Sequence, residues 1–222
     1  MSISVKFDLA EGGYCVSIFP LLGVSILPGL LWLYFFYRKD KYESEPPRLV
    51  LLAFIYGGLA IIPAGLMEYS FQGLIMNPPN LIVLFLVSVG VIGVVEEVVK
   101  LVVIRYTIYY SPEFNEVMDG IVYSVSAGLG FAAVENLLYT LGLGYQVGIR
   151  RAIITSLLHA SFSGVMGYYL GLAKCRAESG WIKKGLVQVI LLHGIYDFLV
   201  LGELIPEQVV YLLVIGLYFY LA

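Results

Sequence analysis

The chain has 222 residues, of which 60% are hydrophobic and 13% are charged, and its mean hydropathy is +0.89. Soluble domains carry about 25% charged residues, so this composition excludes an ordinary soluble protein. The net charge of −3 is too small to indicate a partner, and no basic cluster interleaved with aromatic residues points to nucleic acid. The length allows one domain, residues 1–222, and we expect no removable signal peptide at its N-terminus.

Seven apolar runs follow one another along the chain, separated by turn-forming Pro, Gly and Asn residues. A helix needs about 20 apolar residues to cross a bilayer. We therefore predict an all-α fold, a polytopic transmembrane helical bundle with about seven spans. The predicted spans are Ser17–Tyr37, Leu49–Tyr69, Leu81–Tyr106, Gly120–Leu141, Arg151–Ala173, Gly185–Leu204 and the short Gln208–Leu221.

Small residues recur every four positions in the fourth and fifth spans. Such ridges let helix backbones approach closely in lipid, where small side chains replace the hydrophobic effect as the basis of packing. We therefore expect these spans to approach other helices closely, as side chains on separate helices must do to converge. The residues are Gly120, Ser124, Gly128 and Ala132, and then Ser163, Gly167 and Gly171.

The third span carries Glu96, Glu97 and Lys100 near its middle. A charge at the bilayer centre costs about 3 kcal/mol, so such residues are rarely without a function. Lys100 lies four residues after Glu96 and three after Glu97, which places it within ion-pair reach of either carboxylate on a helix. One carboxylate can then pair with Lys100 while the other performs general acid–base chemistry. Alternatively, the pair only neutralises itself within the bundle.

Later spans place further polar groups at a similar depth: Glu135, His159, and then His193 with Asp197. Like Glu96, each falls within about five residues of its span's centre, which is about 8 Å from the midplane. These groups include both histidines of the protein. We therefore expect polar side chains from four helices to share one layer of the membrane.

Each group also has a purely structural interpretation. Glu135 could hold helices together by hydrogen bonding, and His159 could be a satisfied core histidine. His193 and Asp197 share one helix face, so the carboxylate either fixes the imidazole tautomer or forms a structural pair. Two nearby serines are expected to pack or bond to their own helix rather than to act as nucleophiles, namely Ser161 and Ser163.

With these residues in place, the chain resembles the PrsW family of intramembrane proteases, which are similar to the CAAX prenyl protease and bacteriocin-processing superfamily. The resemblance extends from Pro28 to Asp197, and three motifs occur in order, each within an apolar run. The motifs are Glu96-Glu97-Val98-Val99-Lys100 (EExxK), Phe131-Ala132-Ala133-Val134-Glu135 (FxxxE) and His193-Gly194-Ile195-Tyr196-Asp197 (HxxxD).

The resemblance implies a multi-pass peptidase of a bacterial- or archaeal-type cell membrane. Its implied partner, besides the lipid bilayer, is a membrane-anchored, single-span protein substrate. In proteins of this kind the substrate is typically an anti-sigma factor, which is cut to begin a stress-signalling cascade. The implied function is therefore hydrolysis of a peptide bond in a membrane-anchored protein.

The motif matches also imply roles for individual residues. Glu96 would activate water, and Glu97 would assist it or anchor Lys100. The motif of His193 and Asp197 would polarise the scissile carbonyl, stabilise the oxyanion or bind a metal. The CAAX branch has FxxxH where this chain has Glu135, so we expect the missing imidazole to come from the neighbouring helix, at His159.

Two mechanisms remain open. In the favoured one, His159 and His193 supply nitrogen ligands and Glu135 or Glu97 supplies oxygen, which matches the catalytic zinc pattern of three protein ligands plus water. In the other, Glu96 takes a proton directly from water while a histidine stabilises the oxyanion. Two other functions also fit buried Glu, Lys and His: a proton- or ion-coupled transporter, and a silent membrane scaffold.

Overall fold

The computed structural model describes residues 4–6, 15–38, 44–206, 209, 211–212 and 216. Within these ranges the chain is almost entirely helical, in agreement with the predicted all-α class, apart from one short antiparallel hairpin. The elements are β1 (Ser4–Lys6), β2 (Cys15–Ser17), α1 (Ile18–Tyr37), α2 (Pro47–Leu59), α3 (Ile61–Tyr69), α4 (Gln72–Met76), α5 (Leu81–Val87), a π-helical segment (Ser88–Gly93), α6 (Val94–Thr107), α7 (Val117–Leu143), α8 (Tyr145–Cys175) and α9 (Gly180–Leu201).

Five helical stretches are long and apolar enough to cross a membrane, and each overlaps a predicted span. They are Phe19–Tyr37, Pro47–Tyr69, Leu81–Thr107, Val117–Leu143 and Gly180–Leu201. The predicted fifth span lies within α8, which is less apolar than these five because it carries Arg150, Arg151 and His159. Most of its second half is buried by neighbouring helices. The predicted seventh span, Gln208–Leu221, lies mostly outside the described residues.

The long helix α7 is the centre of the bundle, and α1, α2, α6 and α8 pack against it. Its contact with α8 is made by glycines: a Cβ on Gly120 would overlap the carbonyl oxygen of Gly167, and a Cβ on Gly128 would overlap the Ser163 side chain. The predicted small-residue ridges are therefore the places where these two backbones meet. Close approach brings side chains from separate helices within bonding distance of each other.

The third span is not a regular α-helix. Its middle, Ser88–Gly93, is wound as a π-helix immediately before the turn that bears Glu96 and Glu97. This segment crosses α9 closely, because a Cβ on Gly93 would lie 2.8 Å from the carbonyl oxygen of Ile190 and 3.4 Å from Cα of Gly194. π-Helical turns occur often at functional sites. Here the turn brings the start of α6 against the part of α9 that carries His193.

We expect Gly130→Ala to destabilise the protein, because a Cβ at Gly130 would overlap the backbone carbonyl of Phe54 in α2. Overpacking of this kind costs about 1 to 3 kcal/mol, which thermal unfolding in detergent micelles would detect. Gly142→Ala is the matched control on the same helix, since no atom lies within 4 Å of its Cβ position. Equal unfolding temperatures for both variants would contradict the packing described here.

Candidate active site

The buried ion cluster begins on α6. Lys100 Nζ lies 3.0 Å from Glu96 Oε2 and 3.0 Å from Glu97 Oε1, so one ammonium group pairs with both carboxylates. All three side chains are buried. The same ammonium lies 4.3 Å from the centroid of the Phe131 ring, which adds a cation–π contact on its apolar side. The sequence spacing therefore predicted these ion pairs correctly, and Lys100 joins both pairs rather than choosing one.

The histidine of α8 connects this cluster to α7. His159 Nδ1 lies 2.9 Å from Lys100 Nζ, and its Nε2 lies 3.0 Å from Glu135 Oε2. An ammonium group can only donate, so Nδ1 accepts its hydrogen bond and the ring proton is assigned to Nε2, which donates to Glu135. The lone pair of His159 Nδ1 therefore points toward the ion cluster.

The histidine of α9 is held in the opposite sense. His193 Nδ1 lies 2.8 Å from Glu97 Oε1, and because an ionised carboxylate only accepts, Nδ1 carries the proton. Its other nitrogen, Nε2, lies 3.4 Å from Asp197 Oδ2 and 3.8 Å from Glu96 Oε2. The HxxxD pair thus lies on one helix face, as the spacing predicted, while a carboxylate from α6 fixes the ring.

These contacts bring side chains from three helices to one point. Ligand-type atoms of Glu96, His159 and His193 all lie within 4.8 Å of one another, and the three residues are buried. The two imidazole rings are perpendicular, with their centroids 5.3 Å apart. The expectation that acidic and imidazole groups from separate helices share one layer therefore holds for the described residues.

Glu135 takes a different place from the one predicted for it as a metal ligand. Arg151 Nη2 lies 2.7 Å from Glu135 Oε1. Glu135 Oε2 bonds His159 Nε2, whereas Lys100 bonds the other ring nitrogen, Nδ1. The converging donor set is consequently Glu96 with the two histidines, not Glu135 with them. Glu135 instead orients the His159 ring. A single sequence could not show this, since FxxxE fixes the helix position of Glu135 but not its tertiary partner.

Two residues at the site were not among those predicted. Arg151 pairs with Glu135, and its guanidinium also lies 3.6 Å from the centroid of the Tyr139 ring. Glu68, on α3, lies one turn after Ala64 and interacts electrostatically with Glu96, Glu135 and Asp197 among others. Its Oε1 atom is buried and has no hydrogen-bond partner among the described residues. The sequence signal for Glu68 was an acidic residue near the end of an apolar run.

The two serines near His159 do not form a nucleophilic pair with it. Ser161 Oγ donates to the Leu157 carbonyl oxygen at 2.8 Å, which is the bond to its own helix that the sequence predicted. Ser163 faces Gly128 in the contact between α7 and α8. The described contacts of these hydroxyl groups therefore belong to packing.

The donor set fits a catalytic metal ion. Two histidines and one carboxylate match the three-ligand pattern of catalytic zinc. Metal-bound histidines usually donate their other N–H group to a carboxylate, and here Glu135 bonds Nε2 of His159 while Glu97 bonds Nδ1 of His193. Both remaining nitrogens face Glu96. A metal ion held by these residues would take the place of the Lys100 ammonium at His159 Nδ1.

Comparison with known proteins decides the class. Residues 45–222 match the sequence profile described as PrsW family intramembrane metalloprotease. The chain belongs to the PrsW family. It is 37% identical to Protease PrsW of Geobacillus kaustophilus over 189 residues, which cover 83% of this chain and 81% of the relative. It is 36% identical to Protease PrsW of Bacillus subtilis over 184 residues, covering 82% and 83% of the two chains. No solved structure shows a significant match.

Membership of the PrsW family confirms the resemblance carried by the three motifs. The protein is an integral membrane, multi-pass peptidase that acts on a protein substrate. Of the alternative functions, the transporter and the silent scaffold are both disfavoured, because the relatives are proteases.

We expect Lys100→Met to lower the free energy of unfolding by about 3 to 5 kcal/mol, because it leaves two buried carboxylates without their cation. The double variant Lys100→Met/Glu97→Gln should recover part of this loss, since it removes one of the two uncompensated charges. Lys183→Met, the same change at an exposed position of α9, is the control. Thermal unfolding in detergent micelles measures all three, and a double variant no more stable than Lys100→Met would contradict the cluster.

Proposed function

We propose that this protein hydrolyses a peptide bond of a membrane-anchored protein at the buried cluster of Glu96, His159 and His193. The observation that carries the proposal is the convergence of these three side chains from α6, α8 and α9 within 4.8 Å. General base, electrophile and orienting groups are the components that amide hydrolysis needs. We further propose that residues 1–222 act as a single integral-membrane protease domain.

In the proposed mechanism Glu96 accepts the proton of the attacking water. Its Oε2 atom lies 3.8 Å from His193 Nε2 and 3.9 Å from His159 Nδ1, so a water molecule bound at this carboxylate would lie beside both imidazoles. Lys100 donates to the same Oε2 atom at 3.0 Å and holds the Glu96 carboxylate in position. A preorganised, buried site of this kind needs little rearrangement as charge develops on the carbonyl oxygen.

The remaining residues orient these groups. Glu97 holds the His193 proton on Nδ1 and Asp197 lies 3.4 Å from Nε2, so the ring is fixed while Glu96 passes the proton it took from water to the leaving amine. Glu135 plays the same part for His159, and it is itself held by Arg151. Each imidazole therefore has a carboxylate on the side away from the reaction centre.

The family description as metalloproteases and the donor set together support a zinc ion held by Glu96, His159 and His193. When bound, zinc supplies Lewis-acid polarisation of the carbonyl and lowers the pKa of a water molecule.

The finer identity of the substrate rests on the sequence resemblance. By that resemblance the substrate is a single-span protein of the anti-sigma-factor type, and its cleavage begins a signalling cascade. The burial of the site supports a substrate that reaches it from within the membrane, since the three central residues are each at most 5% exposed.

We expect Glu96→Gln to lower the rate of substrate cleavage at least about a hundredfold, because the amide cannot accept the proton of water. Co-expression with candidate single-span substrates, followed by detection of the cleaved fragment, provides the measurement. Glu113→Gln makes the same chemical change at an exposed turn and should cleave normally. Normal insertion with full activity in Glu96→Gln would rule out the assignment.

We expect a tight chelator to abolish cleavage by the purified protein and added zinc to restore it. His193→Ala should lower the zinc content measured by elemental analysis, because it removes one of three protein ligands. An active preparation that is free of metal by the same analysis would refute the zinc mechanism and leave direct activation of water by Glu96.

A further inference from the structure

A cavity of about 480 Å³ opens between α8 and α9, beside the site. Its volume lies in the range of about 300 to 1,000 Å³ that is usual for ligand sites. Residues of both helices line it, together with Ile205, which lies beyond the end of α9. The lining includes Arg151, Ile154 and Thr155 from α8, and Tyr196 and Val200 from α9.

Lining residues of the cavity on α8 and on α9 are linked by side-chain contacts to the proposed catalytic groups. On α8, Arg151 bonds Glu135, which bonds His159, so the cavity wall is two polar contacts from the reaction centre. On α9, Tyr196 precedes Asp197, and the Phe162 ring contacts both Tyr196 and His193, with centroid distances of 6.4 and 5.2 Å. A chain lying in the cavity is thereby placed next to the site.

The lining matches the chemistry of an extended peptide. An extended segment within a membrane has backbone carbonyl groups that need donors, and Arg151 offers one. Its Nε atom is buried and has no hydrogen-bond partner among the described residues, although Nη2 is taken by Glu135. A guanidinium group only donates, so its partner must be an acceptor such as a carbonyl oxygen. Beside it, Ile154 and Val200 form an apolar surface with Ile205.

We propose that this cavity, the α8–α9 cleft, binds the substrate segment next to the scissile bond as an extended chain. Ile154, Val200 and Ile205 accept one apolar side chain of that segment, and Arg151 donates to its backbone. Arg151 is also a positioning residue for His159, since it acts on the ring through Glu135. This assignment rests on the proposed peptidase function and adds the site that selects the substrate.

The test is the side-chain preference of Val200→Trp. A series of full-length substrates carries Gly, Ala, Leu or Phe at each position around the cleaved bond, and kcat/KM is measured for each. We expect the wild-type protein to prefer Leu or Phe at one position, and Val200→Trp to shift that ratio toward Gly or Ala by about tenfold because the indole fills the cleft. Leu191→Trp is the matched control, on the same helix and similarly exposed but outside the cleft, and should keep the preference.

An unchanged preference in Val200→Trp would overturn the assignment. A wild-type protein that cleaves no substrate would instead refute the proposed function, so the two failures are distinguishable. If Val200→Trp is inactive, a photo-crosslinking amino acid at position 200 in the Glu96→Gln background decides the question without cleavage. A substrate adduct from position 200 but not from position 191 supports the cleft, and equal or absent adducts at both positions overturn it.

Discussion

The organisation of this molecule depends on one buried ammonium group. Lys100 contacts Glu96, Glu97 and His159 at 2.9 to 3.0 Å, and it is 4% exposed. Each of these charges alone would cost about 3 kcal/mol at the centre of a bilayer. Because one ammonium group pairs with two carboxylates, it lowers the free-energy cost of burying both. One net negative charge remains in the cluster, and it favours protonated imidazole groups and bound cations nearby.

The cluster can exist only because the backbones come close enough to build it. Glycines of α7 and α8 let the backbones of these helices come into contact. The π-helical segment Ser88–Gly93 of the third span packs closely against α9. Lipid offers no hydrophobic drive for helices to associate, so such packing contacts and the polar bonds they permit stabilise the bundle together. Loss of a glycine contact is consequently expected to affect the chemistry as well as the fold, since the histidines and carboxylates lie on different helices.

The sequence predicted those features that follow from spacing along one helix. Ion pairing of Lys100 with Glu96 and Glu97, the shared face of His193 and Asp197, and the small-residue contact of α7 with α8 all belong to this class. Features set by tertiary geometry were not predictable. The pairing of Glu135 with Arg151 and the burial of the Glu68 Oε1 atom are both set by contacts between helices. The irregular winding before Glu96 likewise left no periodic signal.

The hydrogen bonds of the two histidines together explain why the proposed reaction centre lies at Glu96. Glu135 fixes the proton of His159 on Nε2, and Glu97 fixes that of His193 on Nδ1. The two rings are thus held in opposite tautomers, and the two nitrogens without a proton, His159 Nδ1 and His193 Nε2, lie 3.9 and 3.8 Å from Glu96 Oε2. Three electron-rich atoms that face one another repel unless a positive charge lies among them. Lys100 supplies that charge from one side at His159 Nδ1, and a divalent cation is the other species that suits the same arrangement, so the ammonium and the metal compete for one nitrogen.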